Sequence, residues 1–315
     1  MGARRAISGV ATIAGLALAG CASVPLGPAP SPPAPEIAAP AAIPAPRSDA
    51  SRDLERYYAR VQTNLLSQGL LRTDDGATDA PFTADMLARN FERIALFEEY
   101  ATVGGAIVAR ETESRLHRWT SPVRLEVSFG DTVDPAKATA DQAAIRTYLA
   151  RLSRLAGLPI TQVKDNPNFL LFVVTEDERR ALGPRLRAFL PGLSEAAIQT
   201  VTDLDRSSYC LVFAIDPGRR GIYDRAVAIV RAEHPDLLRL SCIHEELAQG
   251  LGLANDSPEA RPSVFNDDEE FALLTPHDEY LIRMLYHPSL TPGMTADEAR
   301  PWVRTLAEDL VGGAS

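Results

Sequence analysis

The stretch that decides the fold runs from residue 242 to residue 256. It reads Cys242-Ile243-His244-Glu245-Glu246-Leu247-Ala248-Gln249-Gly250-Leu251-Gly252-Leu253-Ala254-Asn255-Asp256. We expect a helix that begins at Pro235 and Asp236 and ends at Gly252, because proline favours the first turn of a helix and glycine favours its end. Five positions follow a spacing of 0, 1, 4, 7 and 10 residues: Glu245, Glu246, Gln249, Gly252 and Asn255.

This spacing resembles the metzincin pattern H-E-x-x-H-x-x-G-x-x-H, a helix followed by a glycine turn. In metzincins three histidines converge on one zinc ion, and the glutamate activates the water bound to the metal. Here Glu245, Gln249 and Asn255 stand in place of the three histidines. Glu246 keeps the position of the general base, and Gly252 keeps the turn. The resemblance implies a metzincin-like fold that lacks the zinc ligands.

Two downstream segments extend this resemblance, which covers about residues 120–290. Ser263-Val264-Phe265-Asn266 falls where metzincins have their methionine turn, with Phe265 in place of the methionine. Leu274-Thr275-Pro276-His277-Asp278, followed by Leu285-Tyr286, resembles the closing helix of matrix-type metallopeptidases.

The chain also resembles a proteobacterial lipoprotein family, the domain of unknown function 2927. Its signature features stand here as Arg118-Trp119, residues 245–256 and Pro292-Gly293-Met294, and the resemblance covers most of residues 51–300. It implies a location in the cell envelope and supplies no reaction.

Three hypotheses follow for the motif, in which four polar residues are of interest: Glu245, Gln249, Asn255 and Asp256. Side-chain amides are poor zinc donors. The four residues therefore form either a hydrogen-bonded polar cluster without a cofactor or a site for a hard divalent cation such as Ca²⁺ or Mn²⁺. The third hypothesis is an atypical metal-dependent hydrolase or peptidase with Glu246 as the general base. We favour the first, which predicts a non-catalytic binding or structural module whose cleft takes an envelope protein or a peptide.

Two neighbouring features offer weaker alternatives. His244 lies one residue away from the predicted ligand face, so we expect it to be an ordinary helix residue. The acidic run from Asn266 to Glu270 could bind Ca²⁺, but its spacing does not fit an EF-hand and such a run is usually a solvated loop.

Residues 119–310 contain the patterns of one mixed domain. Apolar runs and period-two alternation predict four strands, and helical periodicity predicts two helices before the motif helix. The strands are Val123–Gly130, Asn168–Thr175, Cys210–Ile215 and Ala226–Val230, and the helices are 138–156 and 176–190. This order predicts an α/β (α+β) fold, a mixed sheet with one antiparallel hairpin packed on helices. Residues 51–118 precede it as a helical segment, with helices at 51–68 and after the cap Thr83.

The N-terminus has the pattern of an export signal. Residues 1–20 hold a basic pair, Arg4-Arg5, then a short apolar stretch that leads to Leu18-Ala19-Gly20-Cys21. This box resembles the bacterial lipoprotein signal, which implies lipidation of Cys21 and attachment to a membrane. Ala22 stands where an aspartate would retain a lipoprotein in the inner membrane, which favours the outer membrane, facing the periplasm. Residues 21–50, rich in Pro and Ala, predict an extended tether.

The cysteines and the net charge indicate the redox compartment of the protein and the kind of partner it binds. With Cys21 lipidated, Cys210 and Cys242 are left as a pair in an oxidising compartment, where we expect a disulfide; the alternative is two buried thiols. The formal net charge of −10, without a basic run, argues against a nucleic-acid partner.

Overall fold

The computed structural model describes residues 46–313 of the 315-residue chain. The predicted signal peptide (residues 1–20), the lipidation site Cys21 and most of the predicted tether lie outside the described residues. The last two tether residues, Asp49 and Ala50, belong to the first helix. No helix within residues 46–313 combines the length and the apolar character needed to span a membrane.

Nine helices and seven strands make up the described part of the chain. The helices are α1 (Asp49–Ser67), α2 (Ala84–Ala95), α3 (Pro135–Ala156), α4 (Glu176–Arg180), α5 (Gly183–Phe189), α6 (Glu195–Thr202), α7 (Asp236–Gln249), α8 (Pro276–Leu285) and α9 (Ala296–Gly312). The strands are β1 (Phe97–Val103), β2 (Ala106–Glu113), β3 (Val123–Phe129), β4 (Ile160–Gln162), β5 (Phe169–Val174), β6 (Cys210–Ile215) and β7 (Arg225–Arg231).

A five-stranded mixed sheet forms the centre of the fold, in the order β4-β3-β5-β7-β6. Four strands run parallel, and the edge strand β6 runs antiparallel to β7. Every residue of β5, the apolar run Phe169–Val174, is buried, as expected for an interior strand covered on both faces. The predicted mixed α/β fold with one antiparallel hairpin and a helix at the N-terminus is therefore confirmed.

Alternation along the strands divides the core between the two faces of the sheet. Leu171 and Val173 pack into the larger core together with Ile243 and Leu247 of the motif helix α7. Leu170 and Phe172 point to the opposite face and pack under α5 and α6. The apolar side of α7 therefore packs against the sheet, and its polar side faces the loops that follow the helix.

The segment between Glu176 and Leu190 differs from the single predicted helix. It forms two short helices, α4 and α5, and Pro184 lies in the first turn of the second. Proline has no backbone N–H to donate to the preceding turn. A continuous helix is therefore interrupted here, and a new helix begins.

The N-terminal segment also differs from the helical expectation for residues 51–118. Helices α1 and α2 form as predicted, and the Thr83 side chain accepts a hydrogen bond from the backbone N–H of Met86. Strands β1 and β2, however, pair as an antiparallel hairpin across Gly104-Gly105, both with positive φ. A two-residue glycine loop matches the twist of a hairpin, and this local signal could have revealed it.

Candidate functional site

The motif helix α7 ends earlier than predicted. Its last helical residue is Gln249, with Gly250 as the cap, whereas Gly252 makes the turn that follows. Gly252 has a φ of +127°, and a Cβ atom there would lie 2.1 Å from the carbonyl oxygen of His117. Only glycine combines this conformation with so close a backbone approach.

The loop after this turn borders a cavity of about 450 Å³. Seven carboxylate side chains line it: Glu99, Glu245, Glu246, Asp256, Asp267, Asp268 and Glu269. The lining residues include no lysine, arginine or histidine. We call this the acidic cavity. Negative carboxylates this close together repel one another, and a bound cation would reduce that repulsion. A cavity with this lining therefore attracts cations.

The structure brings most of the predicted motif residues together. Glu245, Glu246, Gln249 and Asp256 all line the acidic cavity, and the Gln249 side chain donates a hydrogen bond of 2.9 Å to Asp256. Asn255 is not among the lining residues. Its amide nitrogen instead donates to the carbonyl oxygens of Arg93 and Asp256, at 3.0 and 2.9 Å.

His244 lies on another side of α7, outside the cavity lining. Its ring stacks on Tyr148 with 3.9 Å between the ring centroids, and its Nδ1 accepts a hydrogen bond from the backbone N–H of Leu274. Burial lowers the pKa of His244 to about 3, with a smaller contribution from nearby Arg151. The neutral ring is thus a packing and hydrogen-bonding residue.

Glu246 has the most demanding surroundings in the cavity. Its side chain is 3% exposed. Among the described residues, no hydrogen-bond donor reaches its Oε2 atom. Burial raises the pKa of Glu246 well above its ordinary value, and the nearby charges of Glu99 and Asp256 raise it further. A buried carboxylate oxygen without a donor is costly and requires either a proton or a cation.

The pKa values of four further cavity carboxylates are also raised: those of Glu99, Glu245, Asp256 and Glu269. Burial raises the pKa of Glu99 to about 7, although a hydrogen bond with Tyr100 acts in the opposite direction. Burial likewise raises the pKa of Glu269 to about 7, helped by the charges of Asp268 and Asp267. The pKa values of Glu245 and Asp256 are raised well above normal, first by burial and then by neighbouring carboxylates.

Two sources of these carboxylates were not assigned to the motif site from the sequence. Glu99 comes from strand β1, where nothing in the local pattern marks it. Residues 267–269 come from the acidic run expected to be solvated, although Asp267 and Asp268 are indeed exposed. Glu269 has a φ of +60°, and its carbonyl oxygen accepts a hydrogen bond from Leu71, which ties this loop to the N-terminal segment.

Cys210 and Cys242 have their sulfur atoms 1.96 Å apart, at bonding distance, as predicted. This bond joins the edge strand β6 to α7 beside the cavity. Cys210, Cys242 and Glu245 are the only three ligand-type residues in the described part whose donor atoms all lie within 4.8 Å of one another. They do not form a metal site, because the sulfurs are bonded to each other and are not thiolates. No three carboxylates of the cavity, among the described residues, have oxygens that close together.

Three separate segments meet around residues 116–119. The Trp119 side chain donates to the carbonyl oxygen of Gly250 at 2.8 Å, and Leu116 exchanges backbone hydrogen bonds of 2.8 Å with Gly293 and Met294. Arg118 donates to the carbonyl oxygen of Leu285 at 2.7 Å. These contacts position the end of α7 relative to the rest of the domain.

The fold and the site together define a mixed α/β domain with an acidic cavity at the end of its motif helix. The chain belongs to the family described as protein of unknown function (DUF2927), whose sequence model matches residues 84–305. No curated protein matches the chain.

Proposed function

We propose that the chain is a lipid-anchored protein of the bacterial envelope. In this proposal its metzincin-like domain lacks catalytic zinc and acts as a non-catalytic module that binds a hard divalent cation of the calcium type in the acidic cavity.

The topology supports the metzincin-like assignment. A mixed sheet with an antiparallel hairpin precedes the motif helix, and the glycine turn follows it. The contacts of the segment that would correspond to the methionine turn are compatible with this assignment. Asp278 of α8 accepts hydrogen bonds from the Ser263 hydroxyl at 2.5 Å and from the backbone N–H of Val264 at 3.0 Å. Phe265 is fully buried at this turn.

The residues at the motif do not fit a catalytic zinc ion. Zinc sites in proteins are built from histidine, cysteine and carboxylate ligands, usually four of them in tetrahedral geometry. Gln249 directs its amide nitrogen at Asp256, and Asn255 directs its amide nitrogen at two carbonyl oxygens. Of the three residues that stand in place of the metzincin histidines, only Glu245 offers a negatively charged metal ligand.

The cation proposal rests on Glu246, one of the seven carboxylates that line the cavity: its side chain is 3% exposed, and its buried Oε2 atom has no donor among the described residues. A self-satisfied polar cluster would give this oxygen a hydrogen bond. The contact from Gln249 reaches Asp256 and not Glu246. Calcium takes six to eight oxygen ligands and tolerates irregular geometry, which suits a set of carboxylates from several loops.

The envelope location rests on the sequence of the N-terminus and on the disulfide. The Leu18-Ala19-Gly20-Cys21 box supports lipidation of Cys21. A disulfide between Cys210 and Cys242 supports an oxidising compartment such as the periplasm. The tether would then hold the domain away from the membrane.

A metal-dependent hydrolase is the second candidate, and one observation favours it. The raised pKa of Glu246 is a common property of general bases, which need a pKa close to the working pH. A peptidase assay on the calcium-, manganese- and zinc-loaded protein separates this candidate from the binding module.

Titration calorimetry with Ca²⁺, Mn²⁺ and Zn²⁺ tests the proposal, using protein that begins at residue 46. We expect stoichiometric Ca²⁺ binding that Glu246→Gln abolishes. The control is Glu259→Gln, since Glu259 is exposed and does not line the acidic cavity. Absence of binding by any of the three ions would leave a metal-free module. Tight zinc binding with hydrolytic activity would instead establish the hydrolase.

A further inference from the structure

We infer that the chain has a second site, a pocket lined by arginines that binds an organic phosphate ester. It lies between helix α1, helix α4 and the segment after α6, and its cavity measures about 610 Å³. Five arginines line it: Arg56, Arg60, Arg180, Arg206 and Arg231. We call it the arginine pocket. It shares no lining residue with the acidic cavity, so the inference does not depend on the proposed function.

The floor of the arginine pocket holds more positive than negative charge. Three guanidinium groups share the single carboxylate of Glu176: those of Arg179, Arg180 and Arg231 donate to it at 2.7, 2.8 and 2.9 Å. The side chains of Arg179 and Arg231 are each 1% exposed, and their other hydrogen bonds go to uncharged backbone carbonyl oxygens. One carboxylate balances one of three positive charges, and two of the three are shielded from water. An anion that enters the pocket is therefore attracted.

The carboxylates around the pocket oppose this attraction only weakly. Asp53, Asp203 and Asp205 also line the pocket, but all three are exposed, and solvent and salt screen their charges. The buried neighbour Glu233 does not line the pocket, and it accepts a hydrogen bond of 2.7 Å from the backbone N–H of Glu176. Burial raises the pKa of Glu233, which favours its neutral form.

Hydrogen bonds between the walls hold the pocket in shape without a ligand. Arg231 donates to the carbonyl oxygens of Leu204 and Asp205, at 2.8 Å each, which fixes the segment after α6. The Tyr58 hydroxyl of α1 donates to the carbonyl oxygen of Arg206 at 2.9 Å, which joins this segment to the helix. A ligand therefore meets walls that are already ordered, which lowers the entropic cost of binding.

Two guanidinium groups at the pocket are available to a ligand. Among the described residues, Arg60 and Arg206 form no salt bridge, whereas Arg56 pairs with Asp53. The Arg206 guanidinium lies over the ring of Tyr57, 5.0 Å from its centroid. Arg60 follows Tyr57 by three residues in α1, so both lie on the same side of the helix. A guanidinium group presents paired N–H donors in a plane, a geometry that matches the oxygens of a phosphate.

The size of the pocket indicates a phosphate with an organic group attached. Its volume falls within the range of small-molecule sites, about 300 to 1,000 Å³. Leu54 and Tyr57, both half-buried, add apolar surface beside the arginines. Two sources supply this chemistry, the headgroup of a phospholipid and a soluble phosphate ester.

Calorimetry with glycerol 3-phosphate tests the inference, using protein that begins at residue 46. Succinate, a dianion with carboxylates only, is the control ligand. Arg60→Gln/Arg206→Gln removes the two unpaired guanidinium groups, which are exposed, and keeps the carbonyl that Tyr58 binds. The matched control is Arg146→Gln/Arg304→Gln, which removes two exposed arginines outside the pocket.

We expect one glycerol 3-phosphate bound per chain and much weaker binding of succinate. Arg60→Gln/Arg206→Gln should lower the affinity at least about tenfold, because hydrogen bonds between charged groups are lost. It should unfold at the same denaturant concentration as the wild type. The matched control should bind like the wild type.

Sedimentation with vesicles of phosphatidylglycerol or phosphatidylcholine distinguishes the two sources. Retention of the wild type on phosphatidylglycerol, reduced in Arg60→Gln/Arg206→Gln, identifies a lipid headgroup. Binding of glycerol 3-phosphate without retention on either vesicle identifies a soluble ester. The inference is overturned if neither probe binds, if succinate binds as tightly as glycerol 3-phosphate, or if the two double variants lose affinity equally.

Discussion

The indole nitrogen of Trp119 donates a hydrogen bond of 2.8 Å to the carbonyl oxygen of Gly250. Trp119 is 1% exposed, and its ring stacks on Phe169 of the central strand with 6.4 Å between the centroids. The Arg118-Trp119 pair therefore has a structural role. It fixes the end of the motif helix against the sheet, which determines where the loop to Asp256 begins.

Trp119→Phe should destabilise the protein by about 1 to 3 kcal/mol, because the buried carbonyl of Gly250 loses its donor. Denaturant unfolding measures the change. The chain has one other tryptophan, Trp302, which is 48% exposed and provides the control. Trp302→Phe should change the stability by less than about 0.5 kcal/mol. Equal effects of the two substitutions would contradict the role assigned to Trp119.

Gly252→Ala should cost about 3 kcal/mol or more in unfolding free energy. The new Cβ would meet the backbone oxygen of His117 at 2.1 Å, and alanine disfavours a φ of +127°. Gly157→Ala separates the two causes, since Gly157 also has a positive φ but a methyl group added there would meet no atom within 4 Å. It should cost only about 1 to 2 kcal/mol. A mild effect at Gly252 would mean that the turn can relax.

The sequence predicted the elements whose signals are local. The continuous apolar run of β5, the glycine turn after α7 and the proline at its start each act within a few residues, and all three are seen. The hairpin β1–β2 was missed although Gly104-Gly105 supplied a turn signal, because its strands are half-exposed and weakly patterned.

The site was predictable only where its residues share one helix and its turn. The spacing along the motif grouped Glu245, Glu246 and Gln249, and all three line one cavity together with the neighbouring Asp256. Glu99 and Glu269 arrive from distant segments, and a spacing rule contains no information on such contacts. Asn255 was expected in the same group, but its amide nitrogen bonds to the Arg93 carbonyl of the N-terminal segment instead.

Loss of the Cys210–Cys242 bond should destabilise the protein by about 3 to 4 kcal/mol. The bond closes a loop with a sequence separation of 32 residues, and the chain-entropy relation gives this range for a loop of that length. Denaturant unfolding of a Cys210→Ser/Cys242→Ser double variant measures it. Reductant should lower the stability of the wild type toward that of the double variant and should leave the double variant unchanged. A reductant effect on the double variant would point to another cause.

The stability of the cation-free protein should fall as the pH rises from about 7 to 9. Above about pH 7, unfolded carboxylates and histidines have already lost their protons, so the unfolded chain gives up few more. The folded protein still holds protons on cavity carboxylates near pH 7, because burial raises the pKa values of Glu99 and Glu269 to about 7 and those of Glu245, Glu246 and Asp256 well above normal. A raised folded-state pKa contributes stability that is present at low pH and lost as the pH passes through that pKa.

Denaturant unfolding at several pH values, in EDTA and in saturating Ca²⁺, checks this behaviour. Calcium should remove most of the fall, because a bound cation replaces the protons and stabilises the folded state by an amount that grows with the ratio of the Ca²⁺ concentration to the dissociation constant. Glu246→Gln should reduce the fall in EDTA, whereas Glu259→Gln, at an exposed position outside the cavity, should leave it intact. Unfolding free energies in EDTA that stay constant from about pH 7 to 9 would mean that the cavity carboxylates have lost their protons by pH 7, and the strong mutual repulsion that argues for a cation site would be absent.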